Sequence, residues 1–399
     1  MALAGLGAAF LYGRNSAKPR ISELRKQLKD NTQEILRQKH LLDEVERAER
    51  QKLRQPANAQ FSDVTGNLPP ESVQVWLKPV SQSDVAFAMR PRPVPILAIA
   101  NLKGGVAKTM LAANLAAYFA RRGDYPSTQA LPNKRVLLVD LDYQGSLSRM
   151  ILTAMGSAVD PMHPDAKAEV LFRTSRSHAD ALALRVGPTP VFPRVSIFPT
   201  TYGFDDFETR EQFRWLSNPN GEDVRFSLLK RLTAPEFAQA FDLIILDTGP
   251  RLTVGSVGAL VAASHLLIPT APDNRSMEAA ERFLRRVDVL MNGSRELPEF
   301  VPICPRLKIV GAISTLTMAS QKSMLDNGRL RFETMVANDK DLKALVSARP
   351  ILLNATMPRS QPIMDTAEKS VPYLATTAIR SVINQIGAEV EHRMNHETG

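Results

Sequence analysis

Ile96-Leu-Ala-Ile-Ala100-Asn-Leu-Lys103-Gly104-Gly105-Val106-Ala107-Lys108-Thr109-Met110 is the stretch on which the reading of the whole chain turns. Its first five residues are apolar and too few for a helix, so they read as a strand buried on both faces. Two adjacent glycines then allow a turn tighter than other residues tolerate. Met110 to Ala120 is apolar and rich in alanine, and reads as a helix. Strand, glycine loop and helix in that order make an anion cradle. Backbone N–H groups of the loop converge on oxyanion oxygens, the helix N-terminus adds partial positive charge, and Lys108 adds a full one. Thr109 offers a hydroxyl to a magnesium ion that accompanies a phosphate. A plain strand-to-helix turn would account for the glycines but would not need the Lys108-Thr109 pair.

Outward from this loop, short apolar runs alternate with longer amphipathic stretches. That pattern predicts an α/β fold: a doubly wound, mostly parallel sheet with helices on both faces. Strands are expected at 96–100, 136–139, 195–198, 243–246, 265–269, 309–313 and 351–353. Two of them run into carboxylates, in Val136-Leu-Leu-Val-Asp140-Leu-Asp142-Tyr-Gln144 and in Phe241-Asp-Leu-Ile-Ile-Leu-Asp247-Thr-Gly-Pro250. Ligands gather at the C-terminal ends of such strands, and a carboxylate there suits a hydrated magnesium beside phosphates. Residues 149–240 are too many for a bare loop and must contain structure. Within them Asp205, Asp206, Glu208 and Glu211, with Phe207 and Phe213, are expected on a helix whose acidic face is solvated and has no metal role. The six histidines are scattered, without metal-ligand spacing. Phe283, Leu284, Val287 and Leu290 fit an ordinary buried helix stripe.

These motifs resemble those of the ParA/MinD family of deviant Walker-type ATPases, in particular ParA-like partition ATPases, whose phosphate loop carries a lysine ahead of two glycines. Lys103-Gly-Gly-Val-Ala-Lys-Thr is similar to that signature. The resemblance continues through Asp140-Leu-Asp142-Tyr-Gln144-Gly-Ser, Leu246-Asp247-Thr-Gly-Pro250, Ile268-Pro-Thr-Ala-Pro and Met357-Pro358-Arg359, and covers about residues 94 to 385. It implies a P-loop NTPase fold, ATP and Mg²⁺ as cofactors, and hydrolysis of ATP to ADP and phosphate in a homodimer that forms with ATP. Lys103, Gly104, Gly105, Val106, Ala107, Lys108, Thr109 and Met110 would form the nucleotide loop. Lys108 would hold the β- and γ-phosphates, and Lys103 would reach the partner's nucleotide. Asp142 would orient or deprotonate the attacking water. Thr109, Asp140 and Asp247 would make up the metal region, and Pro358 with Arg359 would lie near the adenine base. The choice of adenine over guanine rests on the resemblance alone. Two positions depart from the family pattern: Ala107 stands where glycine is usual, and Met110 where a second threonine is usual. A methyl at 107 costs little if the local φ is negative, and strains the turn or crowds the phosphate if it is positive. Slow hydrolysis, or binding without turnover, follows from the second case.

The chain of 399 residues is 44% hydrophobic and 23% charged, which suits a folded core rather than a disordered chain. Its single cysteine, Cys304, excludes an intrachain disulfide framework and a multi-cysteine metal site, and suits a reducing, cytoplasmic compartment. Residues 1–55 are expected to form a helical extension. Ile21, Leu24, Leu28, Ile35, Leu42 and Val45 fall on heptad a and d positions, interrupted by Asn31 and Gln38. A coiled coil and a solvated amphipathic helix packed on the body both fit. Residues 56–94 carry several prolines, including Pro69, Pro70, Pro91 and Pro93, with Pro95 just beyond, and read as a linker with at most short structured pieces. Residues 94–390 are the ATPase domain. The apolar stretch Ala2–Tyr12 is shorter than the roughly 20 residues of a spanning helix. A membrane-dipping segment there is the weaker of its two readings.

The net charge of +9 favours acidic partners, although the N-terminal extension carries over half of it. One role is a partition-type switch that binds DNA without sequence preference and is reset by a ParB-like or adaptor protein. Arg285, Arg286, Lys322, Arg329, Arg331, Lys340 and Lys343 are its candidate phosphate contacts. The other is a membrane- or complex-associated organiser, or a scaffold with little turnover, docked through the N-terminal helix. The polar C-terminal end, Ala388–Gly399, disfavours a membrane-binding amphipathic helix of the MinD kind.

Overall fold

In the structure, a computed structural model, residues 75–125, 131–156, 166–218, 221–293, 301–346, 350–367 and 370–395 are described. The helical extension of residues 1–55 and the linker up to residue 74 lie outside the described residues. From the N-terminal side the elements are α1 (Gln82–Ala88), β1 (Ile96–Ile99), α2 (Lys108–Arg121), β2 (Val136–Leu141), α3 (Ser146–Ala154), α4 (His178–Ala183) and β3 (Val195–Phe198). They continue with α5 (Gly203–Ser217), α6 (Val224–Leu232), α7 (Pro235–Ala240), β4 (Leu243–Thr248), α8 (Val254–Ala262) and β5 (His265–Thr270). The C-terminal part adds α9 (Asn274–Asn292), β6 (Lys308–Thr317), α10 (Lys322–Asn338), α11 (Lys340–Leu345), β7 (Met357–Pro358), α12 (Gln361–Ala367) and α13 (Thr377–Asn395).

The strands form one parallel seven-stranded sheet in the order β3-β2-β4-β1-β5-β6-β7. Its apolar runs are continuous because both faces are covered. Ala98, Leu137, Ile244 and Leu246 pack toward α5, α6, α8 and α9, while Leu97, Ile99, Leu138 and Ile245 pack toward α2, α3 and α13. The register sets Asp140 beside Asp247 on neighbouring strands, and Asp247 beside Ile99, the end of β1. The glycine loop and two carboxylates thereby meet at one edge of the sheet, where the strand order reverses around β1.

Three points differ from the expectations or add to them. Residues 351–353 do not form a strand: Leu352 makes an isolated bridge to Ala312, beside a register shift in β6. Gly311 has φ +140° there and lies so close that a Cβ would meet the Ile351 carbonyl at 2.5 Å. The seventh strand is instead the short β7. Next, residues 75–93, the described part of the linker, hold two short helical pieces that are docked on the domain. Trp76 and Leu77 are buried, and Trp76 stacks on Trp215 of α5 with ring centroids 5.7 Å apart. Arg225, buried and paired with Asp223, donates to the carbonyls of Trp76, Lys78 and Pro79 at 2.6, 2.9 and 3.2 Å. A guanidinium satisfies three carbonyls that a proline-interrupted segment cannot pair with itself. Finally, α5 is the expected acidic helix, but Glu208 on it is buried and not solvated.

Because Trp76 is 1% exposed, Trp76→Ala is expected to destabilise the domain by about 3–5 kcal/mol. Urea unfolding checks this, and a loss below about 1 kcal/mol would mean the segment contributes no packing.

Candidate functional site

The loop after β1 turns through two left-handed residues, Gly105 at φ +72° and Ala107 at φ +57°. A Cβ at Gly104 or Gly105 would meet nothing within 4 Å, so the glycines face open space rather than neighbouring chain. Val106 and Met110, by contrast, turn their side chains into the core, and only their backbone can face a ligand. The Val106 carbonyl accepts from the Thr315 hydroxyl at 2.9 Å, and Asn101 ties the loop's start to β5 by donating to the Pro269 carbonyl at 2.8 Å. Ala107 is the N-cap of α2 and supplies no side-chain cap, which leaves the first N–H groups of that helix for an anion. The positive φ at Ala107 is the strained alternative. An L-residue there costs roughly 1–2 kcal/mol.

Lys108 is 93% buried and donates from Nζ to the Lys103 carbonyl at 3.0 Å, curled back over the loop. Burial pulls its pKa down, against the attraction of Asp247 and Asp142. Lys103 points to the other side, 3.8 Å from Asp273, the N-cap of α9. Such an exposed pair holds the lysine only weakly.

The two strand-end aspartates have opposite surroundings. Asp140 accepts from the Ser148 N–H at 2.9 Å, the Ser148 hydroxyl at 2.6 Å and the Asp142 N–H at 3.1 Å. Burial pushes its pKa up to about 6 despite those three donors. The expected metal role therefore does not fit Asp140, whose oxygens are spent on α3 and on its own strand end. Asp247 is fully buried, and neither of its oxygens has a hydrogen bond of ordinary geometry, although the Thr109 hydroxyl and the Lys108 ammonium act on it. Burial, then the neighbouring Asp140, push its pKa well up, opposed by the Thr109 hydroxyl and Lys108. A buried carboxylate left this way is costly unless a cation completes it. Asp142 is half-buried, accepts from the Gln144 N–H at 3.1 Å, and is so near Gly249 that a Cβ there would lie 3.6 Å from its carboxyl carbon.

Among the described residues no three His, Cys, Asp or Glu side chains form a metal cluster by themselves. Magnesium beside phosphates keeps waters and takes few protein ligands. The donors Thr109 and Asp247 fit such an ion. Pro358 and Arg359 reach the same sheet edge: the Arg359 N–H donates to the Thr317 carbonyl at 2.8 Å, two residues beyond the Thr315 that holds Val106. Of the expected phosphate contacts, Arg285 is paired with Asp339 and Glu281, and Arg331 with Glu278 and Glu281. Acidic neighbours on α9 thus neutralise part of that face. Among the described residues no helix is long and apolar enough to cross a membrane. Sequence reasoning missed Ser148, which satisfies Asp140, and Thr315, which props the loop. Only Ser148 had a local signal, since it stands one turn into the helix that Asp140-Leu-Asp142 leads into.

A parallel sheet with this glycine loop at its reversal point defines the class of P-loop nucleoside triphosphatases. The family model described as an AAA domain matches residues 94–297, just over half of the chain. The chain belongs to this family, in its ParA/MinD-type branch with a lysine ahead of the two glycines. It is 26% identical over 197 residues to a protein described as replication protein A from Rhizobium rhizogenes, over 49% of this chain and 45% of that one. Chromosome partitioning protein ParA from Caulobacter vibrioides is 27% identical over 239 residues, 59% of this chain and 74% of that one. The chain spans about half the length of the first curated relatives it matches. In fold it is similar to pNOB8 ParA bound to nonspecific DNA, with a TM-score of 0.52, 22% identity, and coverage of 75% of this chain and 98% of that one.

Two outcomes follow from the loop and the buried carboxylate. Ala107→Gly is expected to stabilise the nucleotide-free chain by roughly 0.5–1 kcal/mol in urea unfolding, as the left-handed penalty exceeds the entropy glycine returns to the unfolded state. For Asp247 the folded pKa is raised, so its contribution to stability is full below the unfolded carboxyl value and is lost as pH rises through the folded one. Asp247→Asn is therefore expected to melt above the wild type at neutral pH without nucleotide, with the gap closing toward about pH 4. A melting temperature below that of the wild type at neutral pH would show the carboxylate is already compensated.

Proposed function

We propose that the chain is a magnesium-dependent ATP switch of the ParA type, which binds ATP, dimerises on it and hydrolyses it slowly. The observation that carries this reading is Asp247: a fully buried carboxylate without a hydrogen bond of ordinary geometry, facing Thr109 and Lys108 under an open glycine loop. Loop N–H groups of residues 104–109 and the α2 N-terminus bind the phosphates, and Lys108 leaves the Lys103 carbonyl to bind them as well. Thr109 and Asp247 would hold the magnesium, which when bound would supply charge neutralisation of the phosphates. Asp142, at the open side of the site, orients the attacking water. Asp140 positions α3 and the Asp142 backbone. Lys103, weakly held by Asp273, is available to a second copy. Turnover in such a site is positioning and charge stabilisation.

Relatives named for chromosome and plasmid partition, and the pNOB8 ParA structure with nonspecific DNA, support a partition or cargo-positioning role in which the ATP dimer binds duplex DNA. A ParB-like or adaptor protein would be the stimulating partner. The strained Ala107 supports low intrinsic turnover, so an assembly scaffold built on the same nucleotide site is the second reading.

Light scattering after size exclusion, on nucleotide-free, ADP- and ATP-loaded chain with and without duplex DNA, tests both. The switch reading expects dimer mass only with ATP, and DNA retention that falls steeply with salt. Retention independent of nucleotide, or none at all, would remove the DNA role. Lys108→Ala is expected to lower phosphate release by at least about 100-fold, and a wild-type rate equal to the variant's would overturn hydrolysis.

A further inference from the structure

Glu208 stands apart from the other acidic residues of α5. It is 5% exposed, and its Oε1 accepts from the Gly255 N–H at 2.7 Å. Thr253 is the N-cap of α8, in a reciprocal pair with Ser256. A carboxylate from one helix thus sits on the N-terminus of another, where the helix dipole favours negative charge. The contact also explains the glycine: a Cβ at Gly255 would lie 2.7 Å from Oε1 and 3.0 Å from the Phe204 ring.

What makes the contact more than a cap is where the held segment begins. Asp247 and Thr248 end β4, Gly249 lies against Asp142, and Arg251, Thr253 and Gly255 complete the passage into α8. Arg251 pairs with Asp205 of α5 at 2.9 Å and lies over the Tyr143 ring at 5.6 Å, and Tyr143 in turn meets Tyr202, the residue before α5, at 6.2 Å. The first turns of α5 therefore hold the 249–255 segment at two points, Arg251 through Asp205 and Gly255 through Glu208. Phe172 packs on Phe204 and Phe207 beside it.

We propose that Glu208 is a positioning residue for the ATPase reaction: its carboxylate fixes the 249–255 segment, and through Gly249 sets where the Asp142 carboxylate stands. The proposal rests on the ATPase reading of the site. Burial pushes the Glu208 pKa up to about 7, opposed by the Thr253 and Gly255 donors, and the charged groups acting on it are Asp205, which raises it, and Arg251, which lowers it. The grip is then strongest above neutral pH, where the carboxylate is ionised, and weakens as pH falls through 7. Stability runs the other way, because a raised folded pKa makes the ionised form the costly one. Glu208→Gln keeps the shape and one acceptor, and is expected to fold at least as well as the wild type at about pH 8.

Steady-state turnover near pH 6 and pH 8, with amide exchange of residues 249–256 in the nucleotide-free chain, tests the proposal on wild type and Glu208→Gln. A hydrogen bond to a charged acceptor exceeds a neutral one by about 1 kcal/mol, so at pH 8 kcat is expected to fall about five-fold with KM within about two-fold. At pH 6 the two proteins converge. The Gly255 amide is expected to exchange about five-fold faster in the variant at pH 8, after correction for intrinsic rates. A ratio of rates that does not change with pH, or unchanged exchange at Gly255, overturns the positioning role. Should the wild type turn over no faster than Lys108→Ala, the ATPase reading fails with it, and exchange at Gly255 still separates a carboxylate that grips the segment from one that does not.

Discussion

A carboxylate buried without a hydrogen bond of ordinary geometry is the constraint around which this molecule is arranged. Asp247 has to be at the end of β4, beside β1, for its oxygens to face the glycine loop, and that position puts it next to a second buried carboxylate, Asp140, in register on β2. The fold deals with the two in different ways. Asp140 is completed from within, by Ser148 and by its own chain. Asp247 is left without a hydrogen bond of ordinary geometry, facing Thr109 and Lys108, where a metal cation would complete it.

The surrounding structure can carry that cost because the sheet is apolar on both faces and strapped at several places. The Arg225 clamp brings the segment from Trp76 to Pro79 onto α5 and α6, so the chain entering the domain is held on the same helix that carries Glu208. On the opposite flank, Thr315 of β6 and Asn101 tie the glycine loop to the far half of the sheet. The site is therefore framed by two halves of one sheet, with β1 as the seam. Ala107 adds a local strain at the seam itself, a backbone conformation that glycine would adopt freely.

Much of this was legible in the chain. The strands at 195–198 and 243–246, and the order of loop and carboxylates, follow from continuous apolar runs and from glycines placed between a strand and a helix. The same periodicity could not separate Asp140 from Asp247, since both read as an acid at a strand end. What distinguishes them is a partner eight residues on, Ser148, that only the turn into α3 brings within reach. Glu208 was hidden for a related reason. Its neighbours Asp205, Asp206 and Glu211 make an acidic run, and nothing local shows that one of the four faces α8. Residues 75–93 read as linker because prolines break their periodicity, while the arginine that binds them lies about 150 residues away. The 351–353 segment has a strand's composition, but a glycine at φ +140° in the facing strand limits its pairing to one bridge.

Titration calorimetry of the nucleotide-free chain with ATP, in magnesium and again with the magnesium chelated, reads the central claim directly. The account predicts one saturable site per chain, with affinity that drops at least about ten-fold when the metal is removed, because Asp247 then faces the phosphates uncompensated. Absence of any heat of binding with magnesium and a purine triphosphate, on folded chain, would contradict it.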